Sequence, residues 1–293
     1  MMKQGFFPAL GTPLDAKGNL VCASFARQIE DQIKAGASGL LVMGSMGIEP
    51  YIRNSVYAGV ARCGVEAAKG QAPVLVGVMD TCISRVLDRV DALKDLPIDG
   101  VVSTVPYYNA MNQSQVVKFY TALADSSKFP VYLYDLAVVT KTRTMPETAM
   151  KLWKHPNIRG IKTGNLVTAR LLLNSPEKPE SFDIVYSDLD TFDVAYQYGI
   201  DKNLDGMFAC APKTAKKMYA ALREQRFAES TAYLDAIVGL RDLFVESGSV
   251  LGAFTYAMND LGYEGEFHMD YESLPSAAYH EKVTAYLQQM GER

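Results

Sequence analysis

Histidine and cysteine are scarce in this chain, three and four respectively in 293 residues. Cys22, Cys63, Cys82 and Cys210 form no CxxC pair and lie far apart. That is not the spacing of a disulfide framework or a zinc knuckle, and it predicts a reducing, cytoplasmic setting. His155, His268 and His280 are too separated for a local motif such as HExxH, so no metal site is expected. No apolar stretch of about 18 residues occurs, and no basic start leads into a short apolar run, so neither membrane spanning nor secretion is expected. A long basic run is also missing: 29 Lys and Arg against 33 Asp and Glu leave a net charge of −4, which argues against nucleic acid as a partner. What is present is ordinary globular composition, 48% hydrophobic and 21% charged, in a chain long enough to bury a large core without staples.

Length alone allows two domains or one large barrel with an appendage. Short aliphatic and β-branched runs recur along the chain: 6–10, 40–43, 74–78, 101–105, 131–134, 158–162, 184–186 and 206–209. Between them apolar residues step by three or four, as in Phe25, Ile29 and Ile33, or Val86, Val90 and Leu93. The runs are almost continuously apolar, as strands buried on both faces are, which predicts a parallel sheet covered by helices. Eight such units predict a closed α/β fold, the (β/α)8 TIM barrel, over residues 1–225, followed by a C-terminal helical appendage over 226–293. Thr144 before Met145-Pro146-Glu147 reads as a helix cap, and Gly199 after Tyr198 as a helix end. An open doubly wound sheet would carry a glycine-rich phosphate loop after its first strand, and Gly11-Thr12-Pro13 is not one.

In such a barrel the chemistry lies at the C-terminal strand ends. Those ends hold Thr12, Gly44-Ser45-Met46-Gly47, Asp80, Pro106-Tyr107-Tyr108-Asn109, Tyr134-Asp135, Lys162-Thr163-Gly164, Ser187-Asp188 and Cys210. Lys162 closes an apolar strand, so its stem should be poorly hydrated; burial favours the neutral amine, the form that attacks a ketone to give a Schiff base. A strand-end lysine can equally snorkel to solvent or pair with a carboxylate. Ser45, Tyr108 and Tyr134 would face the same mouth and could relay protons without histidine. The glycine-flanked turn at 44–47, read as opening a helix, offers backbone N–H groups to a carboxylate, although a bare GxxG is more often only a tight turn.

Together these residues resemble the dihydrodipicolinate synthase and N-acetylneuraminate lyase family of Schiff-base class I aldolases. The resemblance runs from about Phe7 to Ala211 through Pro8-Ala9-Leu10-Gly11-Thr12-Pro13, Gly44-Ser45-Met46-Gly47, Pro106-Tyr107-Tyr108-Asn109, Tyr134-Asp135-Leu136-Ala137, His155-Pro156-Asn157-Ile158 and Gly160-Ile161-Lys162. It implies that Lys162 forms an imine with pyruvate or another 2-keto acid, that Tyr134 shuttles the proton, and that Ser45, Met46 and Gly47 hold the keto-acid carboxylate. It implies that Tyr108 completes the hydroxyl relay, that Asp188 and Gly206 line the substrate site, and that Tyr107 reaches a neighbouring subunit of a homodimer or homotetramer. No cofactor is implied.

The departures bear on the second substrate. Asp135 and Ala137 replace an asparagine and a proline, Ile48 stands at a glutamate position, and Met46 removes a hydroxyl from the turn. Val139 occupies the position where dihydrodipicolinate synthases carry an arginine for a second carboxylate, with Arg143 four residues on. Asp188 and Asp190 offer acceptors for a hydroxylated chain. The leading expectation is an aldolase or lyase for a 2-keto-3-deoxy sugar acid. Dihydrodipicolinate synthase, a dehydratase using the same imine, and a catalytically silent binding relative are the alternatives.

Overall fold

The computed structural model describes residues 2–293. Eight parallel strands form one sheet: β1 (Gly5–Pro8), β2 (Leu40–Val42), β3 (Val74–Gly77), β4 (Gly100–Thr104), β5 (Val131–Asp135), β6 (Ile158–Thr163), β7 (Asp183–Tyr186) and β8 (Lys202–Asp205). Their order is β1-β8-β7-β6-β5-β4-β3-β2, and the Ala9↔Leu41 bridge, with Leu10 N–H donating to the Leu41 carbonyl at 2.9 Å, joins the two ends into a barrel. The (β/α)8 architecture is therefore the one the periodicity predicts.

Side chains alternate across this sheet as strand geometry requires. Phe7, Leu41, Leu75, Val102, Tyr132, Tyr134, Val185 and Leu204 fill the barrel interior. The opposite faces, such as Phe6, Val42, Val76, Val101 and Leu133, pack under the helices in a second, larger core. After β8 a helix over Pro212–Arg223 is followed by three more, Phe227–Glu246, Val250–Asp260 and Ala277–Met290. The chain's end is tied back: the buried Glu292 carboxylate accepts from Thr214 N–H at 2.6 Å, Thr214 Oγ1 at 2.7 Å and Lys213 N–H at 3.2 Å. It satisfies donors that the start of helix Pro212–Arg223 would otherwise leave open. No described helix is long and apolar enough to cross a membrane.

Four local expectations are corrected. The eighth strand is Lys202–Asp205, and the apolar run expected as a strand, 206–209, instead forms Gly206 and a short 3-10 turn over Met207–Ala209. The helix at Pro146 is preceded by Met145 in the capping position, while Thr144 is buried and donates its N–H to Asp135. The turn at 44–47 leads into a 3-10 turn over Glu49–Tyr51, and the α-helix begins only at Asn54. Cys22 and Cys63 form a disulfide, which the spacing did not predict; their Cα atoms are 6.3 Å apart. Gly199 does follow a helix end at Tyr198, with the positive φ of 89° that glycine supplies cheaply.

Candidate active site

Strand β6 places Lys162 by alternation. Gly160 faces the ring of Tyr132, and a Cβ there would come within 2.8 Å of it, so at that level the interior is filled by the tyrosine. Lys162 lies two residues further on, paired in register with Tyr134 of β5, and enters the next layer toward the mouth. It is only 7% exposed, and its Nζ sits 3.9 Å from the centroid of the Tyr134 ring. Tyr134 is 6% exposed, and its hydroxyl accepts from Ser45 Oγ at 3.4 Å. The structure thus brings Lys162, Tyr134 and Ser45 into one line of amine, aromatic face and two hydroxyls, with the exposed Ser45 at its outer end.

The turn that carries Ser45 and Met46 is tightly built. Met43 and Ile48 at its two ends have φ of 55° and 49°. A Cβ on Gly47 would lie 2.8 Å from the Leu10 carbonyl oxygen, and Thr12 Oγ1 donates to the Gly47 carbonyl at 2.7 Å. Gly206 closes the site from the β8 side: a Cβ there would come within 2.7 to 2.9 Å of three Met46 side-chain atoms, so the absence of a side chain at 206 makes room for Met46.

Tyr108 is not brought to this group within one chain. It is 78% exposed and borders a cavity of about 650 Å³ with Thr81, Cys82, Met111 and Phe119. Tyr107 is half-buried, its hydroxyl held above the ordinary range by burial and by the nearby Asp80 and Glu49 carboxylates. Asp190 is already engaged, since Arg241 donates to it through both terminal nitrogens at 2.5 and 2.9 Å. Asp188 accepts Asp190 N–H and Thr191 Oγ1, each at 3.1 Å. Asp135 turns to Thr163 Oγ1 at 2.9 Å and Thr144 N–H at 3.0 Å; burial raises its carboxyl. Val139 and Arg143 are exposed.

Three charged groups, Asp205, Glu49 and Arg89, escaped the sequence reading. Asp205, at the end of β8, accepts Met207 N–H at 2.8 Å, and burial raises its carboxyl against the opposing pull of that N–H, Lys162 and Arg241. Glu49, Asp80 and Arg89 form a buried network beneath the 44–48 turn. Burial pushes the Glu49 carboxyl up to about 8 even with Arg89 beside it. Burial acts upward on Asp80 as well, but hydrogen bonds from Arg85, Thr81 and Arg89 outweigh it and hold that carboxyl at about 2. Asp80 had signalled itself as a strand-end residue; Arg89 lies in a helix with no such mark.

The fold agrees with comparisons to known proteins. The sequence profile of the dihydrodipicolinate synthetase family matches residues 2–288, and the chain belongs to that family. It is an enzyme of the lyase class, as the family's members are. A 4-hydroxy-tetrahydrodipicolinate synthase from Jannaschia sp. (strain CCS1) is 28% identical over 269 residues, 89% of each chain. The enzyme of the same name from Herminiimonas arsenicoxydans is 26% identical over 294 residues, 99% of each chain. Among solved structures, YagE, a prophage protein of the dihydrodipicolinic acid synthase family from E. coli K12 in complex with pyruvate, superposes with a TM-score of 0.91 at 21% identity over 100% of both chains. Dihydrodipicolinate synthase from Thermotoga maritima does so with a TM-score of 0.91 at 20% identity, again over the whole of both.

Proposed function

We propose that the protein is a pyruvate-dependent Schiff-base aldolase or lyase for a 2-keto-3-deoxy sugar acid, with Lys162 as the nucleophile. The observation that carries this reading is the buried amine of Lys162 against the Tyr134 ring, with the Tyr134 hydroxyl linked to Ser45. A primary amine adds to a keto carbonyl and expels water as the imine. In cleavage the iminium accepts the electron pair of the bond from the adjacent carbon to the carbinol carbon, which leaves as the aldehyde once its hydroxyl proton is taken. In condensation the adjacent carbon first loses a proton to give the enamine, whose carbon then attacks the aldehyde carbonyl. Tyr134, with Ser45 behind it, is the group positioned to give and take the protons of these steps. The 44–47 turn, with Ser45, Met46 and Gly47, receives the keto-acid carboxylate, and Gly206 makes space beside it. The iminium formed on the lysine nitrogen is the electron sink, so the chemistry calls for neither a metal nor an organic cofactor. The exposed ring of Tyr108 supports a homo-oligomer in which this residue, rather than the half-buried Tyr107, projects toward a neighbouring copy.

The names of the relatives favour a second reading, 4-hydroxy-tetrahydrodipicolinate synthesis. Against it, Val139 gives no cation for a second carboxylate, Arg241 is occupied by Asp190, and a charged group without its partner is strongly disfavoured in a site. The neutralisation of Asp190 leaves Asp188 as the carboxylate positioned to accept from a substrate hydroxyl. A panel of aldehydes and keto acids, compared by kcat/KM, tests the choice. A neutral-tailed 2-keto-3-deoxy sugar acid should be cleaved about tenfold or more efficiently than aspartate semialdehyde is condensed. Aspartate semialdehyde as the best acceptor would overturn the assignment and point to Arg143.

A further inference from the structure

Ile48 occupies a conformation that its side chain resists. A β-branched residue at φ 49° is held in the left-handed region, which such residues leave unless the surroundings dictate otherwise. The next residue supplies the restraint. Glu49 N–H donates to the Gly44 carbonyl at 3.3 Å and closes the turn, while its side chain, 0% exposed, runs inward to Arg89. Arg89, 6% exposed, donates through Nη1 to Glu49 Oε1 and through Nε to Asp80 Oδ2 at 3.0 Å, and lies 5.2 Å over the Tyr57 ring. The Tyr57 hydroxyl donates in turn to the Gly77 carbonyl at 2.5 Å.

One guanidinium therefore joins the loop after β2, the loop after β3 and its own helix, Ile83–Ala92. Buried ionic groups of this kind add little stability over an apolar set of the same volume, because their desolvation offsets their attraction; what they can add is a fixed geometry. Asp80, kept ionised by hydrogen bonds from Arg85, Thr81 and Arg89, supplies a negative charge beside the buried Arg89. Glu49 Oε1 accepts from Arg89 whether or not the carboxyl holds a proton.

We infer that Arg89 is a positioning residue: acting through Glu49 and Asp80, it holds the 44–48 turn in the strained shape that receives the keto-acid carboxylate. The inference rests on the reading of that turn given above. Without the clamp, Ile48 relaxes toward negative φ, the N–H groups of the turn diverge, and the keto acid is held less well, while Lys162 itself is undisturbed.

The test is borohydride trapping of the pyruvate adduct at Lys162 as a function of pyruvate concentration, in wild type, Arg89→Met and Val86→Ala, with melting temperatures measured alongside. Val86 is a buried apolar residue of the same helix, and its truncation loosens the helix without touching the network. Arg89→Met should raise the half-saturating pyruvate concentration about tenfold, with the maximal labelling at saturation retained. Val86→Ala should lower the melting temperature and leave half-saturation within about twofold. Should Arg89→Met fail to fold, Arg89→Lys, which keeps the charge but cannot bridge both carboxylates, should raise half-saturation about threefold or more. Unchanged half-saturation in whichever Arg89 variant folds, or an equal shift in Val86→Ala, would overturn the inference. Absence of any label in wild type would instead overturn the underlying assignment of Lys162.

Discussion

Tyr134 presents two different surfaces to its neighbours, its ring face to the Lys162 amine and its hydroxyl to Ser45. Replacing it with Phe separates them: the face that covers the amine stays, and the hydroxyl proposed to carry the proton goes. Turnover in Tyr134→Phe should fall by about a hundredfold or more, with imine trapping slowed less; unchanged turnover in a steady-state assay would show that the hydroxyl carries no proton. At this scale the sequence was informative where a side chain's direction follows strand position. Lys162 and Tyr134 close apolar strands, and alternation sends both inward. Arg89 was illegible because an arginine in an amphipathic helix looks solvated, and only the fold shows Glu49 and Asp80 meeting it. Asp190 seemed free for the same reason, since Arg241 reaches it from 51 residues away. Tyr107 and Tyr108 are adjacent, and the sequence does not disclose that the fold half-buries the first and exposes the second.

At the scale of elements, seven strand runs were legible because their residues are apolar on both faces. The eighth was displaced because Lys202-Asn203-Leu204-Asp205 is mostly polar, with Leu204 its one apolar side chain, facing the interior, and Asn203 buried beneath the helices. The following Met207-Phe208-Ala209 is apolar for another reason: it packs into the helix layer as a 3-10 turn. The cap at Pro146 went to Met145 because Thr144 is drawn inward to Asp135. The Cys22–Cys63 pair joins the first residue of helix Cys22–Ala35 to the middle of helix Asn54–Ala68, a contact that a separation of 41 residues does not disclose. Closing a loop of that length stabilises the folded chain by about 4 kcal/mol in the chain-entropy view. Intact-mass measurement after alkylation under denaturing, non-reducing conditions should leave Cys22 and Cys63 unlabelled, and reductant should lower the melting temperature by several degrees. Alkylation of all four cysteines without reductant would contradict the pairing.

The whole molecule is a barrel whose mouth is fitted by loops from many strands and by one of the C-terminal helices, through Arg241 on Asp190, while Glu292 ties the chain's end to the helix after β8. Its surface carries exposed apolar side chains, Val167, Leu171, Val194 and Tyr198 among them, besides Tyr108. Light scattering at micromolar concentration should give a mass above the 32.2 kDa of one chain, and a strict monomer would contradict the oligomer. The barrel was legible because its eight repeats share one hydrophobic pattern. Which aldehyde enters was not, because that depends on which charges around the mouth are already paired. The central claim, that Lys162 is the imine-forming amine, is tested most directly by incubating the protein with pyruvate and borohydride and locating the adduct by peptide mass analysis. One reduced pyruvate group on Lys162, abolished by Lys162→Ala, is the expected result; no adduct, or an adduct confined to another lysine, would contradict it.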